Sequence, residues 1–304
     1  MNGWWVVAKK DEFNIDDLVV YCEIDSWIPT SIAPFLTKAG KEPKQYNNVS
    51  GERLRTVKLR GQLSQGIVFP FSILLGGQYE VGEDVSETLS IQKWEEPEYA
   101  GKCSSAKGNF PSFLIKTDQE RVQNICDLQE HYGESFEVTI KIDGSSLTAF
   151  VNGDKEGVCS RNIELKEEEG NAFWDIVKKY TLLERIRATG RNLAVQGELI
   201  APNIQKNHEK RNSPEFYCFS IFDIDKQEYL LPAERVLLCS VYGIPHVKII
   251  DKEFVLSHTV EELLDMAEGC GMFEGVQREG LVFKSNQSQF SFKAVANSYL
   301  LKKG

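Results

Sequence analysis

Residues 136–146 read FEVTIKIDGSS. Phe136, Val138, Ile140 and Ile142 alternate with Glu137, Thr139, Lys141 and Asp143, the two-residue period of a β-strand with one apolar and one polar face. Asp143-Gly144 then breaks the strand at a turn. Further runs on either side share this habit. Residues 148–151 and 157–160 predict a hairpin around Asn152-Gly153. Later strands are expected at 193–200, 216–224, 280–283 and 289–295. Two amphipathic helices are expected among them. One covers 171–188, apolar at Phe173, Ile176, Val177, Tyr180, Leu183 and Ile186 and stopped by Gly190. The other opens at a Thr259–Glu262 capping box and runs to about Met266. Strands outnumber helices and the turns are short, so the class is α+β rather than doubly wound.

The 304 residues predict two domains. We expect them at 1–100 and 101–304. Residues 1–75 look all-β, with short runs at 5–7, 18–23, 53–59 and 66–69 separated by a polar loop at 31–50. Residues 76–116 are rich in Gly, Ser, Pro and Glu and are expected to form the linker region. A third helix is expected from Thr117, where Thr117 and Glu120 make a capping box ahead of Val122, Ile125 and Cys126.

Lys and Arg number 35 against 45 Asp and Glu, a formal charge of −10. Such a chain cannot hold a polyanion by its net field, so nucleic acid would need a local basic patch. The densest is GERLRTVKLRGQLSQG at residues 51–66, carrying Arg53, Arg55, Lys58 and Arg60. It reads either as a solvated strand edge or as a phosphate-tracking surface. Seven irregularly spaced cysteines without a C-x-x-C pair argue against a disulfide framework or zinc site. No apolar leader opens the chain and no run spans a bilayer. A soluble protein of a reducing compartment, cytoplasmic or nuclear, is expected. The four histidines, His131, His208, His246 and His258, lie in no motif and read as structural, and Glu167-Glu168-Glu169 reads as a solvated face.

The polar face of residues 136–143 holds Lys141-Ile142-Asp143-Gly144. K-x-D-G arises by chance in about 8% of chains this long, so alone it decides little. Its company decides more. Arg161, Glu198 within GELI, Phe222-Asp223, Glu279-Gly280-x-x-x-Lys284 and Lys293 follow in order, mostly on predicted strands. Charged groups delivered to a buried sheet are costly unless they converge on a ligand. Phe222 competes with a plain core aromatic, and Lys284 with a surface lysine.

This set resembles the covalent nucleotidyltransferase superfamily, the ATP-dependent ligases and mRNA capping enzymes: KxDG, then GE, FD, EGxVxK and a final lysine, in register over residues 137–297. The β-rich opening with Lys58-Leu59-Arg60-Gly61-x-x-Ser64-Gln65-Gly66, and the run Lys116-Thr117-Asp118-x-Glu120-Arg121-x-Gln123-Asn124, resemble the nick-sealing RNA ligases, in which an OB domain precedes the catalytic one. The sequence runs about ten residues past Lys293, so a C-terminal OB domain is not expected. It opens at what resembles the second OB strand, and Val295 stands where many ligases have a second lysine.

The resemblance implies an N-terminal OB-type β-barrel followed by an antiparallel-sheet, ATP-grasp-like nucleotidyltransferase domain. It implies Lys141 as the nucleophile toward ATP, with Asp143, Glu198, Glu279 and Lys293 in the catalytic set. It places Arg161, Glu198, Phe222, Lys284, Lys293 and Arg121 around AMP, and Asp143, Glu198 and Glu279 on Mg²⁺ or Mn²⁺. The implied partner is a nicked RNA duplex or RNA/DNA hybrid, bound by a monomer away from membranes. A DNA ligase, a capping guanylyltransferase or a non-catalytic OB-fold protein are the alternatives.

Overall fold

The computed structural model describes residues 3–95 and 106–303. Of the linker region expected at 76–116, residues 96–105, with Cys103, lie outside the described residues, and the described part carries the strands Gln92–Lys93 and Ala106–Asn109. The chain divides into two compact units, Met1–Pro97 with Leu300–Gly304, and Glu98–Tyr299.

The smaller unit is built of short antiparallel strands. Val19–Glu23 pairs with Gly66–Pro70, and a four-stranded sheet runs in the order Lys44–Tyr46, Val49–Arg53, Ser26–Pro29, Gln92–Lys93. Its core gathers Val20, Cys22, Ile28, Leu54, Phe69, Leu74 and Leu89. Residues 31–50, expected as loop, contain the strand Lys44–Tyr46, which turns into Val49–Arg53 through Asn47 and Asn48 with φ of 45° and 63°. Asparagine tolerates that left-handed region, and two such residues make a hairpin turn. Residues 5–7 form no strand, though the Trp5 carbonyl accepts from the Gln65 N–H. Residues 57–64 form a separate ribbon, Val57–Leu59 against Gln62–Ser64, with Val57 and Leu59 41% and 45% exposed.

The larger unit carries two sheets. One has seven strands, in the order Glu228–Tyr229, Glu215–Asp223, Leu193–Ile200, Ser145–Asn152, Lys155–Cys159, Ile163–Leu165, Ala106–Asn109. The other has five, in the order Glu120–Arg121, Ser291–Val295, Gly280–Ser285, Ser135–Lys141, Ile249–Val255. Residues 142–144 carry the chain from the Ser135–Lys141 strand of the five-stranded sheet into the Ser145–Asn152 strand of the seven-stranded one. The alternation read in the sequence is present, but both faces are covered: Glu137 and Thr139 are as buried as Phe136 and Val138.

Leu147, Ala149, Val151, Leu193, Val195 and Leu199 put one face of the large sheet against the helices Ala172–Lys179 and Leu182–Ala188. These two replace the single expected helix. Thr181, at φ 48°, breaks them, and the Asn171 side chain caps the first by accepting from the Phe173 and Trp174 N–H groups. Helix Val260–Ala267 opens at the Thr259–Glu262 capping box as expected. The helix expected from Thr117 is absent. Glu120–Arg121 instead lies parallel to Phe292 and Lys293, followed by single 3₁₀ turns, and Cys126 is exposed rather than part of a stripe. Helix Pro232–Tyr242, ended by Gly243 in the left-handed region, was not read from the sequence.

Phe136, Phe254, Phe283 and Phe292 pack edge-to-face and stacked on the side of the small sheet away from the polar residues, with Phe283 and Phe292 ring centroids 4.7 Å apart. Such pairs contribute about 0.5–1.5 kcal/mol beyond their buried area. Here the strands approach too closely for a side chain at Gly280, where an added Cβ would sit 2.2 Å from the Ala294 carbonyl oxygen. Gly280→Ala is therefore expected to destabilise the unit by about 1–3 kcal/mol, the cost of overpacking a close contact. Urea denaturation of parent and variant measures it, and an unchanged midpoint would contradict the packing described.

Candidate active site

Lys141 is the last residue of its strand and pairs with Gly280 across the sheet. That register sets Glu279 beside it, and the Lys141 Nζ donates to Glu279 Oε2 at 2.9 Å. On the facing sheet, Glu198 pairs with Ser146, just past the 142–144 crossover. Burial pulls the Lys141 ammonium down, but the carboxylates of Glu279, Glu198 and Asp143 together outweigh it and hold its pKa above the ordinary lysine value. Burial pushes Glu198 up to about 8, helped by Glu279 and Asp143 and opposed by Lys141.

A fourth carboxylate, unread in the sequence, joins them. Glu209 is 3% exposed and its Oε1 accepts the backbone N–H of Asp143 at 3.0 Å. Burial raises it to about 7. It stands on a connecting loop, where no periodicity marks a residue as inward-facing.

Asp143, Glu198 and Glu279 are expected on Mg²⁺ or Mn²⁺ either directly or through waters, and they do not by themselves enclose an ion. Among the described residues no three His, Cys, Asp or Glu side chains are arranged to hold an ion together, and Glu279 is engaged by Lys141. The donor set is nonetheless all carboxylate oxygen, the chemistry Mg²⁺ and Mn²⁺ prefer. Mg²⁺ is commonly held by one or two carboxylates, water and substrate phosphate rather than by a protein cage.

A cationic group borders the carboxylates. Lys293 lies on the same face of the small sheet, pairing with Val282, which pairs with Thr139. Arg121 lies beside it in parallel register. Burial, with Lys141 and Arg121 nearby, pulls Lys293 below the usual lysine range against the opposing Asp118. Asp118 bridges Lys293 at 2.9 Å and Arg161 at 3.2 Å. Asp118 was visible in the sequence only as part of a motif, without a role.

Phe222 lies elsewhere. It is fully buried among Leu114, Phe150, Cys159 and Ala194, opposite Ala194 and four residues along the strand from Glu198. That is the core aromatic of the rival reading. Tyr217, opposite Glu198, and Phe219 are the aromatics of this strand closer to Glu198 in register. The register shifts by one between Gln196–Ser220 and Gly197–Cys218, which leaves Phe219 as the extra residue of a β-bulge. Bulges re-aim side chains, and Phe219 is half-buried, packed on the cluster of Ile140, Ile142 and Ile200. A bulge leaves no mark that sequence alternation can reveal.

Lys284 is not a surface lysine. Its Nζ donates to the Phe219 carbonyl and to Ser220 Oγ, 5.7 Å from the Phe219 ring. Burial, with Arg235 close by, brings it down to about 7. Arg235 pairs with Glu137 beneath it, both fully buried.

The basic patch of the smaller unit is partly committed internally. Arg53 binds Asp25 and lies 3.6 Å over the Trp94 ring, and Arg55 donates to the Lys303 carbonyl at 3.0 Å. Lys58 and Arg60 remain exposed on the 57–64 ribbon.

The RNA ligase family model matches residues 134–295, and an OB-fold domain model matches residues 1–71. No curated protein matches. Solved structures of the Naegleria gruberi RNA ligase do. An alanine variant of it with ATP and Mn is 45% identical, covering 100% of this chain and 92% of that one at a TM-score of 0.91. Another variant, with AMP and Mn, covers 100% and 91% at 45% identity and a TM-score of 0.91. The form with pyrophosphate covers 98% and 90% at 45% identity and 0.90.

The raised Glu198 predicts a pH-dependent stability. Between the ordinary carboxyl value of 4.5 and its folded value of about 8, the folded chain holds a proton that the unfolded chain releases. Stability contributed by this group is thus lost as pH rises through that window. With chelator present, Glu198→Gln should melt at least about 3 °C above the parent at pH 8.5 and at nearly the same temperature at pH 5. A difference independent of pH, followed by scanning fluorimetry, would contradict the environment described.

Proposed function

The chain belongs to the RNA ligase family, and we propose that it seals nicks in duplexes with RNA on the 3′-hydroxyl side, using ATP and a lysyl-AMP intermediate on Lys141. The observation that carries this is the position of Lys141, ringed by Glu279, Glu198 and Asp143 and bordered by Lys293 and Arg121.

In the first step the Lys141 nitrogen bonds to the α-phosphorus of ATP, the bond to pyrophosphate breaks, and the ammonium proton leaves. In the second the AMP passes to a 5′-phosphate end. In the third a 3′-hydroxyl attacks that end and AMP departs. Lys141 must lose its proton before it attacks, and its carboxylate neighbours oppose that loss. Mg²⁺ or Mn²⁺ on Asp143, Glu198 or Glu279 would supply positive charge that offsets their field and the charge of the triphosphate. The Glu279 carboxylate is hydrogen-bonded to Nζ and suits the task of accepting the proton. Lys293, Arg121 and Arg161 form the phosphate-binding border, from which phosphate displaces Asp118. Phe219, rather than Phe222, stacks on the adenine, with Lys284 at its edge.

Residues 1–100 act as the OB-type nucleic-acid-binding domain and 101–304 as the adenylyltransferase domain of a monomer. Lys58 and Arg60, on a ribbon that also exposes Val57 and Leu59, suit contact with a duplex. The six described cysteines are free thiols, which fits a reducing compartment such as the cytoplasm. No helix among the described residues is long and apolar enough to cross a membrane.

Two experiments test this division. Incubation with α-labelled ATP and Mn²⁺, followed by denaturing electrophoresis, should label the parent. Lys141→Ala should carry no label, and EDTA should abolish labelling of the parent. Retained label on Lys141→Ala would remove the nucleophile and most of this reading with it. Neutralising Lys58 and Arg60 together should spare the label but weaken duplex binding. The salt slope should fall by about two, one for each lost phosphate contact. An unchanged slope would leave the ribbon as a solvated edge.

A further inference from the structure

The loop between strands Leu193–Ile200 and Glu215–Asp223 has an unusual backbone. Gln205, Lys206 and Asn207 are consecutive non-glycine residues in the left-handed region, with φ of 48°, 54° and 52°, and Lys210 is a fourth at 52°. Such conformations persist only where the surroundings over-determine them, and here they do. The Asn207 side chain closes the loop on Arg211 twice, accepting its N–H at 2.7 Å and donating to its carbonyl at 3.0 Å. The Lys210 Nζ donates to the Gly275 carbonyl at 2.7 Å.

The strained turn presents two adjacent side chains to two separate parts of the active site. His208 donates its Nε2–H to the Gln277 carbonyl at 2.7 Å, two residues before Glu279, and packs edge-on against Tyr299. Glu209 accepts the Asp143 N–H at 3.0 Å, two residues after Lys141. The two segments that must hold Lys141 and Glu279 together are thereby tied to one loop.

We propose that His208 and Glu209 form a positioning clip: they fix the 142–144 crossover and the approach to Glu279, so that the Lys141 nitrogen is held at the α-phosphate. The clip rests on the reading of Lys141 as nucleophile and goes beyond it, because neither residue forms a bond to substrate. It acts on the step in which Lys141 is the nucleophile. It does not act on the third step, in which a 3′-hydroxyl attacks.

The test compares two substrates. Single-turnover labelling with α-labelled ATP and Mn²⁺ reads lysine adenylylation, and a nicked duplex already carrying a 5′-adenylylated end reads sealing. At saturating ATP, Glu209→Ala is expected to slow labelling about 10²-fold, the scale of an ångström misplacement of a reacting group, with KM for ATP little changed. Glu209→Gln keeps an oxygen that accepts the Asp143 N–H and should retain most of the parental rate. His208→Ala should lose part of the same step, and it stands in should Glu209→Ala fail to fold. All three should seal the pre-adenylylated nick at close to the parental rate. Labelling of Glu209→Ala at the parental rate overturns the proposal. So does Glu209→Gln as slow as Glu209→Ala, which would assign the effect to charge, and so does an equal loss on both substrates, which would mark general damage. A parent that takes no label fails the reading of Lys141 itself, separately from the clip.

Discussion

The chain passes from one sheet to the other in three residues, and the rest of the site depends on that crossing. Ile142 is buried, the Asp143 N–H is held by Glu209, and Gly144 has no room for a side chain, since a Cβ there would lie 2.5 Å from the Leu199 carbonyl oxygen. Lys141 therefore ends one sheet within reach of Glu279, and Ser145 and Ser146 begin the other beside Glu198. A longer connection would leave Lys141 free of the carboxylates, and a bulkier residue at 144 would force the sheets apart.

That closeness sets the electrostatics. Buried carboxylates repel one another and lose water, so Glu198 and Glu209 ionise reluctantly, while Glu279, Glu198 and Asp143 together keep Lys141 charged. The carboxylates thus favour a cation over a neutral amine at this position. Lys293, Arg121 and Arg161 wait at the edge of the site, with the Asp118 carboxylate against two of them. Deeper between the sheets, Arg235 and Glu137 neutralise each other beneath Lys284. Removing either member of such a pair leaves an unpaired buried charge, which costs far more than the pair contributes.

The smaller unit divides its cations by the same logic. Arg53 is used up by Asp25 and Trp94 in holding the unit's own strands. Lys58 and Arg60 stand exposed on a two-stranded ribbon, where their charge faces solvent. Composition alone treats all four basic residues alike, and only their neighbours separate structural cations from exposed ones.

Local chemistry determined what the sequence could show by itself. The alternation at 136–143, the Thr259–Glu262 cap and the ordered residues Lys141, Glu198, Glu279 and Lys293 were legible because strand period, capping and motif spacing are properties of neighbouring residues. Helix Pro232–Tyr242 was legible too, with proline at its first turn and Gly243 after its last, but was not read. Long-range pairing decided the rest. The segment at 117 gave up its helix for a parallel seat beside Lys293, a partner 172 positions away in register. One extra residue in a strand made Phe219 the residue of a bulge, while Phe222 stayed in the core opposite Ala194. Glu209 entered it from a loop with no period at all. Each of these rests on a backbone hydrogen bond or register set by a distant strand, and a sequence read in local windows carries no record of such a bond.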